Sequence, residues 1–195
     1  MSIYDGLSCM ISQEAPHLGG NIAEGDPFTF APRVWDYLIK RFAVRSVLDL
    51  GSGMGFAADY FFRAGLQVVA VDGLHENCAH SVYPAIQMDL SKGPVYCKVD
   101  LVHCHEVVEH VDARYLENLL QSLACGKIIV MTHAEPGQGG HHHVNEQPLE
   151  YWIHHLQRYH CEVLLEDTQR VRRLAEEDGA LYLAKSGLVL ANQQR

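Results

Sequence analysis

Short apolar segments alternate with amphipathic helical segments along most of this chain, and this alternation limits the folds available to it. Strands are predicted at residues 44–50, 67–71, 85–88, 99–104 and 128–131, with further candidates in 161–165 and 181–190. Helices are predicted after Pro32, over 56–64, after Asp112 and after Pro148. Strands and helices that alternate in this way form a mostly parallel sheet with helices on both faces. We therefore expect an α/β fold, doubly wound around a seven-stranded sheet.

The length of 195 residues predicts a single domain spanning residues 1–195. Residues 1–30 are rich in Gly, Pro and polar groups, and we expect them to form an irregular lead-in or a lid. Residues 132–147 form a second long polar segment, between the fifth strand and the next helix. Open parallel sheets bind ligands at the carboxyl ends of their strands. The loops that follow the strands are therefore the first places to look for a site.

The charge balance restricts the partners that this chain can have. Fifteen Lys and Arg face 24 Asp and Glu, which gives a formal net charge of −9. Such a field repels polyphosphate, so duplex nucleic acid is not an expected partner. The first ten residues do not have the pattern of a signal peptide, and no apolar run approaches the roughly 20 residues that span a bilayer. With six scattered cysteines and no CxxC pair, we expect a cytoplasmic monomer or homodimer with reduced thiols and no membrane association.

A glycine-rich loop follows the first strand of this alternation. It reads Asp49-Leu-Gly51-Ser52-Gly53-Met-Gly55, with the glycines at alternate positions. The dinucleotide fingerprint G-x-G-x-x-G would need its third glycine at position 56, where this chain has Phe. Glycines let the backbone approach a ligand closely. The loop therefore favours a ligand contact, with Asp49 either organising the loop or accepting a hydrogen bond from a ligand ammonium group.

A second acidic residue ends the next strand. Asp72 follows Asp49 by 72 − 49 = 23 residues, one strand–helix–strand step. A carboxylate at this point can accept hydrogen bonds from both hydroxyls of a ribose. The two acidic residues together indicate a site for a ligand that contains a nucleoside.

The segment after the fourth strand reads His105-Glu106-Val-Val-Glu109-His110. It superficially looks like a zinc protease helix. The HExxH motif would need His at 109 and the HxxEH motif would need His at 106, yet both positions carry Glu. The spacing therefore excludes both protease motifs.

These motifs, in this order, resemble those of the class I S-adenosylmethionine-dependent methyltransferases. The resemblance runs from about Ser46 to Met131 and includes the Asp-x-Gly-x-Gly-x-Gly loop and the Glu-Val-Val-Glu-His-Val string. It implies S-adenosylmethionine as cofactor and S-adenosylhomocysteine as product. It also implies that Gly73, His105 and Glu106 lie at the cofactor site, together with the glycine loop and Asp72.

The resemblance further implies an adenine site after the third strand. Asp89 would accept a hydrogen bond from the adenine amino group, and Met88 and Leu90 would pack beside the ring.

Histidines concentrate in the segment that the fold would place on the acceptor side. The candidate catalytic residues are His133, His142, His143 and Asn145. A neutral imidazole can act as a base or orient the acceptor. A solvated polar loop is the alternative for each histidine. We expect no metal, although a divalent ion held by some of these histidines and Glu135 is an alternative.

Motifs of other acceptors narrow the reaction. No Pro-Cys dipeptide is present for cytosine C5 methylation, and residues 105–108 do not match the Asn/Asp-Pro-Pro-aromatic motif of amino methylation. We therefore predict transfer to a small-molecule or sugar-like acceptor, with O-methylation preferred because a hydroxyl needs a base. A non-catalytic domain that binds S-adenosylmethionine or S-adenosylhomocysteine, and a nucleotide-dependent oxidoreductase, are the alternatives.

Overall fold

The structure, a computed structural model, describes residues 7–195, so the part of the predicted lead-in at residues 1–6 lies outside the described residues. The strands are β1 (Cys9–Ile11), β2 (Gly19–Ile22), β3 (Ser46–Leu50), β4 (Gln67–Asp72), β5 (Ala85–Gln87), β6 (Val99–Cys104), β7 (Gly126–Met131), β8 (Cys161–Val163) and β9 (Leu188–Asn192). The helices are α1 (Pro32–Phe42), α2 (Phe56–Arg63), α3 (His75–His80), α4 (Leu116–Leu123), α5 (Leu149–Gln157), α6 (Leu165–Asp178) and α7 (Leu181–Ser186).

Seven strands form one sheet in the order β5-β4-β3-β6-β7-β9-β8. Strands β3 to β7 pair in parallel, whereas β9 lies antiparallel to both β7 and β8. The chain order reverses direction between β3 and β6, which is the point where doubly wound sheets bind ligands. The predicted fold class, a mostly parallel seven-stranded α/β sheet, is confirmed.

Two apolar clusters cover the two faces of the sheet. On one face Trp152 and Leu156 of α5 pack with α4 and with alternate residues of β3 and β6. On the other face Trp35 of α1 and Phe61 of α2 pack with α6 and α7. Helices on both faces make the inner strands apolar throughout, as the sequence of β7 predicts.

The structure corrects three predictions made from the sequence. Residues 181–186, predicted as part of a strand candidate, form helix α7, because Leu183 and Ser186 bury one helical face. The lead-in contains the antiparallel pair β1–β2 rather than irregular chain alone. Asp112 caps the 3₁₀ turn Ala113–Tyr115, where it accepts a hydrogen bond from the Arg114 N–H at 3.0 Å, rather than capping α4 itself.

Within the described residues, no helix is long and apolar enough to cross a membrane.

Candidate functional site

A cavity of about 1100 Å³ opens at the carboxyl ends of β3, β4, β5 and β6. The loops after these strands form its floor. Residues 17–22, which we call the flap, line the cavity across from them. Residues from the loop after β7 close a third side. The cavity therefore lies where the sheet topology predicts a ligand site.

Thirteen of the predicted site residues line this cavity. From the predicted cofactor set they are Asp49, Gly51, Ser52, Gly53, Asp72, Gly73, Met88, Asp89, Leu90, His105 and Glu106. From the predicted catalytic set they are His142 and His143. Residues separated by almost 100 positions in the sequence are thus brought to one cavity.

Three predicted site residues lie away from its wall, as far as residues 7–195 define that wall. Gly55 precedes α2 at φ +78°, and a Cβ there would lie 2.2 Å from Ser81 Oγ, so this glycine permits packing between helices. His133 is buried behind the loop, and its backbone N–H donates to Ser186 Oγ at 3.2 Å. Asn145 is buried too, and its side chain donates to the Val111 carbonyl at 3.1 Å.

The glycine loop turns sharply against the segment after β6. Gly51 has φ +75°, and a Cβ at this position would lie 2.2 Å from Val107 Cγ2. Only glycine fits both the backbone conformation and the available space. The Gly51 and Ser52 N–H groups donate to the Val71 carbonyl at 2.8 and 3.0 Å, which fixes the loop to the end of β4.

Asp49 is held from behind by a buried chain of hydrogen bonds. Its Oδ1 lies 2.7 Å from His103 Nδ1, and Trp35 Nε1 donates to His103 Nε2 at 3.3 Å. Because the indole N–H can only donate, His103 Nε2 is unprotonated, and the neutral ring carries its proton on Nδ1 and donates it to Asp49. Asp49 Oδ2 is buried and finds no hydrogen-bond partner among residues 7–195. This oxygen is the one available to a ligand.

Asp72 organises the next part of the cavity. Its Oδ2 accepts from the Gly53 N–H at 2.8 Å, and its Oδ1 accepts from the Leu74 N–H at 2.8 Å and from Asn77 Nδ2 at 3.0 Å. Asn77 also exchanges two hydrogen bonds with Asn21 of the flap, at 2.9 and 3.1 Å. Burial raises the pKa of Asp72, an effect that the three hydrogen bonds oppose. Sequence reasoning missed both asparagines, which have no motif of their own.

Asp89 connects the end of β5 to the flap. Its Oδ1 accepts from the Ser91 N–H at 2.8 Å, and its Oδ2 lies 3.1 Å from His17 Nε2. Burial acts to raise the pKa of Asp89, but the hydrogen bonds from Ser91 and His17 outweigh it and lower that pKa below its usual range. Asp89 is therefore an ionised acceptor at neutral pH.

His105 follows β6 and faces the cavity as a neutral ring. Burial, and then the neighbouring His103, lower the pKa of His105 well below its usual range. Both of its ring nitrogens are buried without a hydrogen-bond partner in the described part of the chain. An uncharged imidazole with unused nitrogens can accept a proton or a hydrogen bond from a ligand.

Glu106 is fixed beside His105 by Thr132. The Glu106 N–H donates to Thr132 Oγ1 at 2.7 Å, and the Thr132 hydroxyl donates back to Glu106 Oε1 at 2.9 Å. This pair holds Glu106 in the left-handed region at φ +56°, which non-glycine residues rarely adopt. Burial raises the pKa of Glu106 to about 7.

Two residues that the sequence analysis left without a role also lie here. Glu109 and His110 form the 3₁₀ turn Val108–His110 after β6, and their polar atoms lie close to His143 of the loop after β7. The sequence analysis used them only to exclude the zinc protease motifs, so it gave no reason to place them at the site. His143 comes close to them through the fold of the loop after β7. Among residues 7–195, these three are the residues that could hold a metal ion together.

The family model described as "Methyltransferase domain" matches residues 28–188. No curated protein matches the sequence. Among solved structures, a SAM-dependent methyltransferase from Archaeoglobus fulgidus is 17% identical, with a TM-score of 0.56 over 86% of this chain and 94% of that chain. The methyltransferase domain of bacterial CtHen1-CN is 16% identical, with a TM-score of 0.55 over 68% of this chain and 85% of that chain.

A third similar structure is magnesium protoporphyrin IX methyltransferase from Synechocystis PCC 6803 with bound SAM. It is 14% identical, with a TM-score of 0.53 over 68% of this chain and 69% of that chain. At these identities the three structures share the fold with this chain.

Proposed function

The chain belongs to the class I S-adenosylmethionine-dependent methyltransferase family, and we propose that it methylates a hydroxyl group of a small-molecule or sugar-like acceptor. The family membership agrees with the predicted enzyme class and with S-adenosylmethionine as cofactor.

One observation carries the proposal: the cavity wall carries two chemically different sets of side chains. We assign the glycine loop, Asp49, Asp72 and Asp89 to a donor half that would hold the cofactor, and His105, His110 and His143 to an acceptor half. The volume of about 1100 Å³ exceeds the roughly 300–1,000 Å³ of a pocket for one drug-sized ligand. Room for a second reactant and a separate histidine-rich wall support a reaction between two bound molecules.

In the donor half, each acidic group matches one part of S-adenosylmethionine. We assign the ligand's ammonium group to Asp49 Oδ2, the ribose hydroxyls to Asp72, and the adenine amino group to Asp89. Met88 and Leu90 line the cavity next to Asp89 and would pack on the adenine ring. These assignments need the carboxylates ionised, because the ionised form only accepts hydrogen bonds, whereas a protonated carboxyl carries an O–H donor on one oxygen.

In the acceptor half, His105 is the best-placed base. The acceptor oxygen would attack the methyl carbon in line with the C–S bond, whose electron pair stays on sulfur. Burial makes this imidazole a weak base in the free protein. The hydroxyl would donate a hydrogen bond to an unpaired ring nitrogen of His105, and its proton would pass there as attack on the methyl carbon makes the oxygen more acidic. Such a proton transfer is typically worth about 10²- to 10⁴-fold in rate.

His143 would orient the acceptor. His142 lines the cavity with its ring 6.4 Å from that of His17, which contacts Asp89, and would therefore lie nearer the adenine site. His133 and Asn145, which lie behind the wall, have no part in this proposal.

A small acceptor suits the shape and charge of the site. The flap lines the cavity, and the chain has a net charge of −9, which disfavours a long polyanion. Every residue in this proposal belongs to the cavity of one chain, so the reaction would need no second subunit. A monomer or a homodimer would therefore serve equally well.

Calorimetric titration with S-adenosylmethionine, S-adenosylhomocysteine and NADH, followed by transfer of labelled methyl to pooled hydroxylated metabolites, tests this proposal. We expect micromolar binding of the two adenosyl ligands, no binding of NADH, and label on an acceptor oxygen. Asp49→Asn is the test variant for the ammonium assignment. It keeps the shape of the side chain but weakens its attraction for ammonium, so we expect it to bind S-adenosylmethionine less tightly.

Other outcomes would replace the proposal. Label on nitrogen or carbon would refute O-methylation. Tight binding without transfer to any acceptor would favour a non-catalytic binding domain, and binding of NADH alone would favour an oxidoreductase.

A further inference from the structure

Three potential metal ligands converge at the wall of the cavity, which His110 and His143 line and where Glu109 is fully buried. One ligand atom each from Glu109, His110 and His143 lie within 4.8 Å of one another. The backbone holds them there, because the N–H groups of Val144 and Asn145 both donate to the Glu109 carbonyl at 3.0 Å. The loop after β7 is thus attached to the 3₁₀ turn after β6, and the convergence follows from the fold.

Glu109 is the residue that most needs a partner. Its side chain is 0% exposed, and neither carboxylate oxygen has a hydrogen-bond partner in residues 7–195. His110 Nδ1, beside it, is likewise buried and unpaired within those residues. Removing a carboxylate from water without pairing it is strongly unfavourable, so a buried carboxylate is normally paired with a cation or coordinates a metal.

His143 is oriented in the way that metal-binding histidines are. Its Nδ1 lies 3.2 Å from Glu146 Oε1. Glu146 is itself fixed by the N–H groups of Gly137 and Gly139, at 2.7 and 2.6 Å. A carboxylate that accepts from one ring nitrogen places the lone pair on the other nitrogen and makes it a better ligand. Nε2 of His143 is therefore the ring nitrogen that is available to an ion.

We propose that Glu109, His110 and His143 bind a divalent transition-metal ion. Two imidazoles and one carboxylate are a ligand set that such ions use in catalytic sites, where further positions stay open. His110 and His143 both line the cavity, so the open positions face the acceptor. This inference replaces the expectation of no metal. It also differs from the alternative that included Glu135, which lies outside the cluster.

The use of the metal in catalysis rests on the proposed function, whereas its binding does not. An acceptor hydroxyl that coordinates the ion loses its proton more readily, because a Lewis acid lowers the pKa of a bound hydroxyl. The proton would pass to His105 or to solvent, the O–CH₃ bond would form as the S–CH₃ bond breaks, and S-adenosylhomocysteine would leave with the electron pair on sulfur. This chemistry points to an acceptor with a hydroxyl group beside a second oxygen, which could chelate the ion.

The test is titration of the chelator-treated full chain with Co²⁺, followed by calorimetry and by the visible absorption of the bound ion. We expect one site with micromolar affinity. Glu109→Gln and His143→Ala should each weaken it at least about 10-fold, and Glu146→Gln about 10-fold through the orientation of His143. His154→Ala is the matched control, because it removes an exposed histidine on α5 and should leave the affinity unchanged.

The variants are also titrated with S-adenosylmethionine, which shows that they are folded. Equal Co²⁺ affinity in wild type, Glu109→Gln and His143→Ala would overturn the proposed metal site, as would absence of Co²⁺ binding to a chain that binds S-adenosylmethionine. Co²⁺ binding that depends on Glu109 and His143, in a chain that transfers no methyl group, would support the metal site and refute only its role in methyl transfer.

Discussion

The two halves of the cavity differ in how their polar groups are paired. In the donor half, Asp72 and Asp89 are surrounded by hydrogen-bond donors from the backbone and from Asn77 and His17. In the acceptor half, His105 and Glu109 are buried with no partner for their side-chain polar atoms among residues 7–195. The fold by itself organises these two carboxylates, whereas Asp49 Oδ2 is left unpaired among residues 7–195 for the ligand. The acceptor half contains polar groups whose partners are expected to be the acceptor and the proposed metal ion.

The largest effect should come from the acceptor half. We expect His105→Phe to lower the rate of methyl transfer by about 10²-fold or more, because the base is lost while a ring fills the space. Affinity for S-adenosylmethionine should change by less than about threefold. Single-turnover rates and calorimetry measure the two quantities separately. A large loss of donor affinity would instead assign His105 to the cofactor, as the family resemblance implies.

Substitutions in the donor half should change the affinity for S-adenosylmethionine rather than the rate of methyl transfer. We expect Asp72→Ala to weaken S-adenosylmethionine binding by about 100-fold, because two hydrogen bonds to a charged acceptor are lost at about 1.5 kcal/mol each or more. Calorimetry checks this, and Asp72→Asn, which keeps the shape of the side chain, separates loss of charge from collapse of the loop. Unchanged affinity in both variants would refute the ribose assignment.

The support behind Asp49 should affect stability more than catalysis. We expect His103→Leu to lower the free energy of unfolding by about 2 kcal/mol, because the carboxylate of Asp49 loses its buried donor. Urea denaturation measures this change, and His154→Ala on the surface serves as the control. A variant as stable as wild type would mean that Asp49 finds another donor, and would remove the argument that this half is organised in advance.

The smallest effect should come from the flap. We expect His17→Ala to weaken S-adenosylmethionine binding about threefold, because His17 is partly exposed and its contact with Asp89 Oδ2 at 3.1 Å is a pair of the kind that contributes little. Calorimetry at low and moderate salt measures it. An increase in affinity would show that His17 competes with adenine for Asp89.

The sequence is most informative where structure depends on neighbouring residues. The order of strands and helices, the glycine loop and the acidic strand ends follow from local patterns, so the sequence alone predicts that Gly51 and Asp72 belong to the site. Helix α6 escapes prediction because its polar composition hides the apolar spacing of Val171 and Leu174. The prediction for residues 181–186 is wrong because a short apolar run fits both a helix and a strand.

The acceptor half is less predictable because it depends on contacts between distant segments. His133 and Asn145 belong to the same loop as His143, but only His143 of these three faces the cavity. Whether a loop residue points inward is decided by bonds such as those of Val144 and Asn145 to the Glu109 carbonyl, which no sequence pattern encodes. The positions of Glu109 and His110 do not match a zinc protease motif, which is a helical pattern. In the structure the two residues lie in one 3₁₀ turn instead.

The flap has a consequence for the timing of a reaction cycle. It is attached to the donor half by the contact of His17 with Asp89 and by the two hydrogen bonds between Asn21 and Asn77. Under the proposed function, opening these bonds would free the flap from the cofactor side of the cavity, and hydrogen bonds of this kind contribute about 1 kcal/mol each. Product release would then be governed by a short segment that touches no reacting atom. Residence time and chemical rate could therefore change independently, through different parts of the chain.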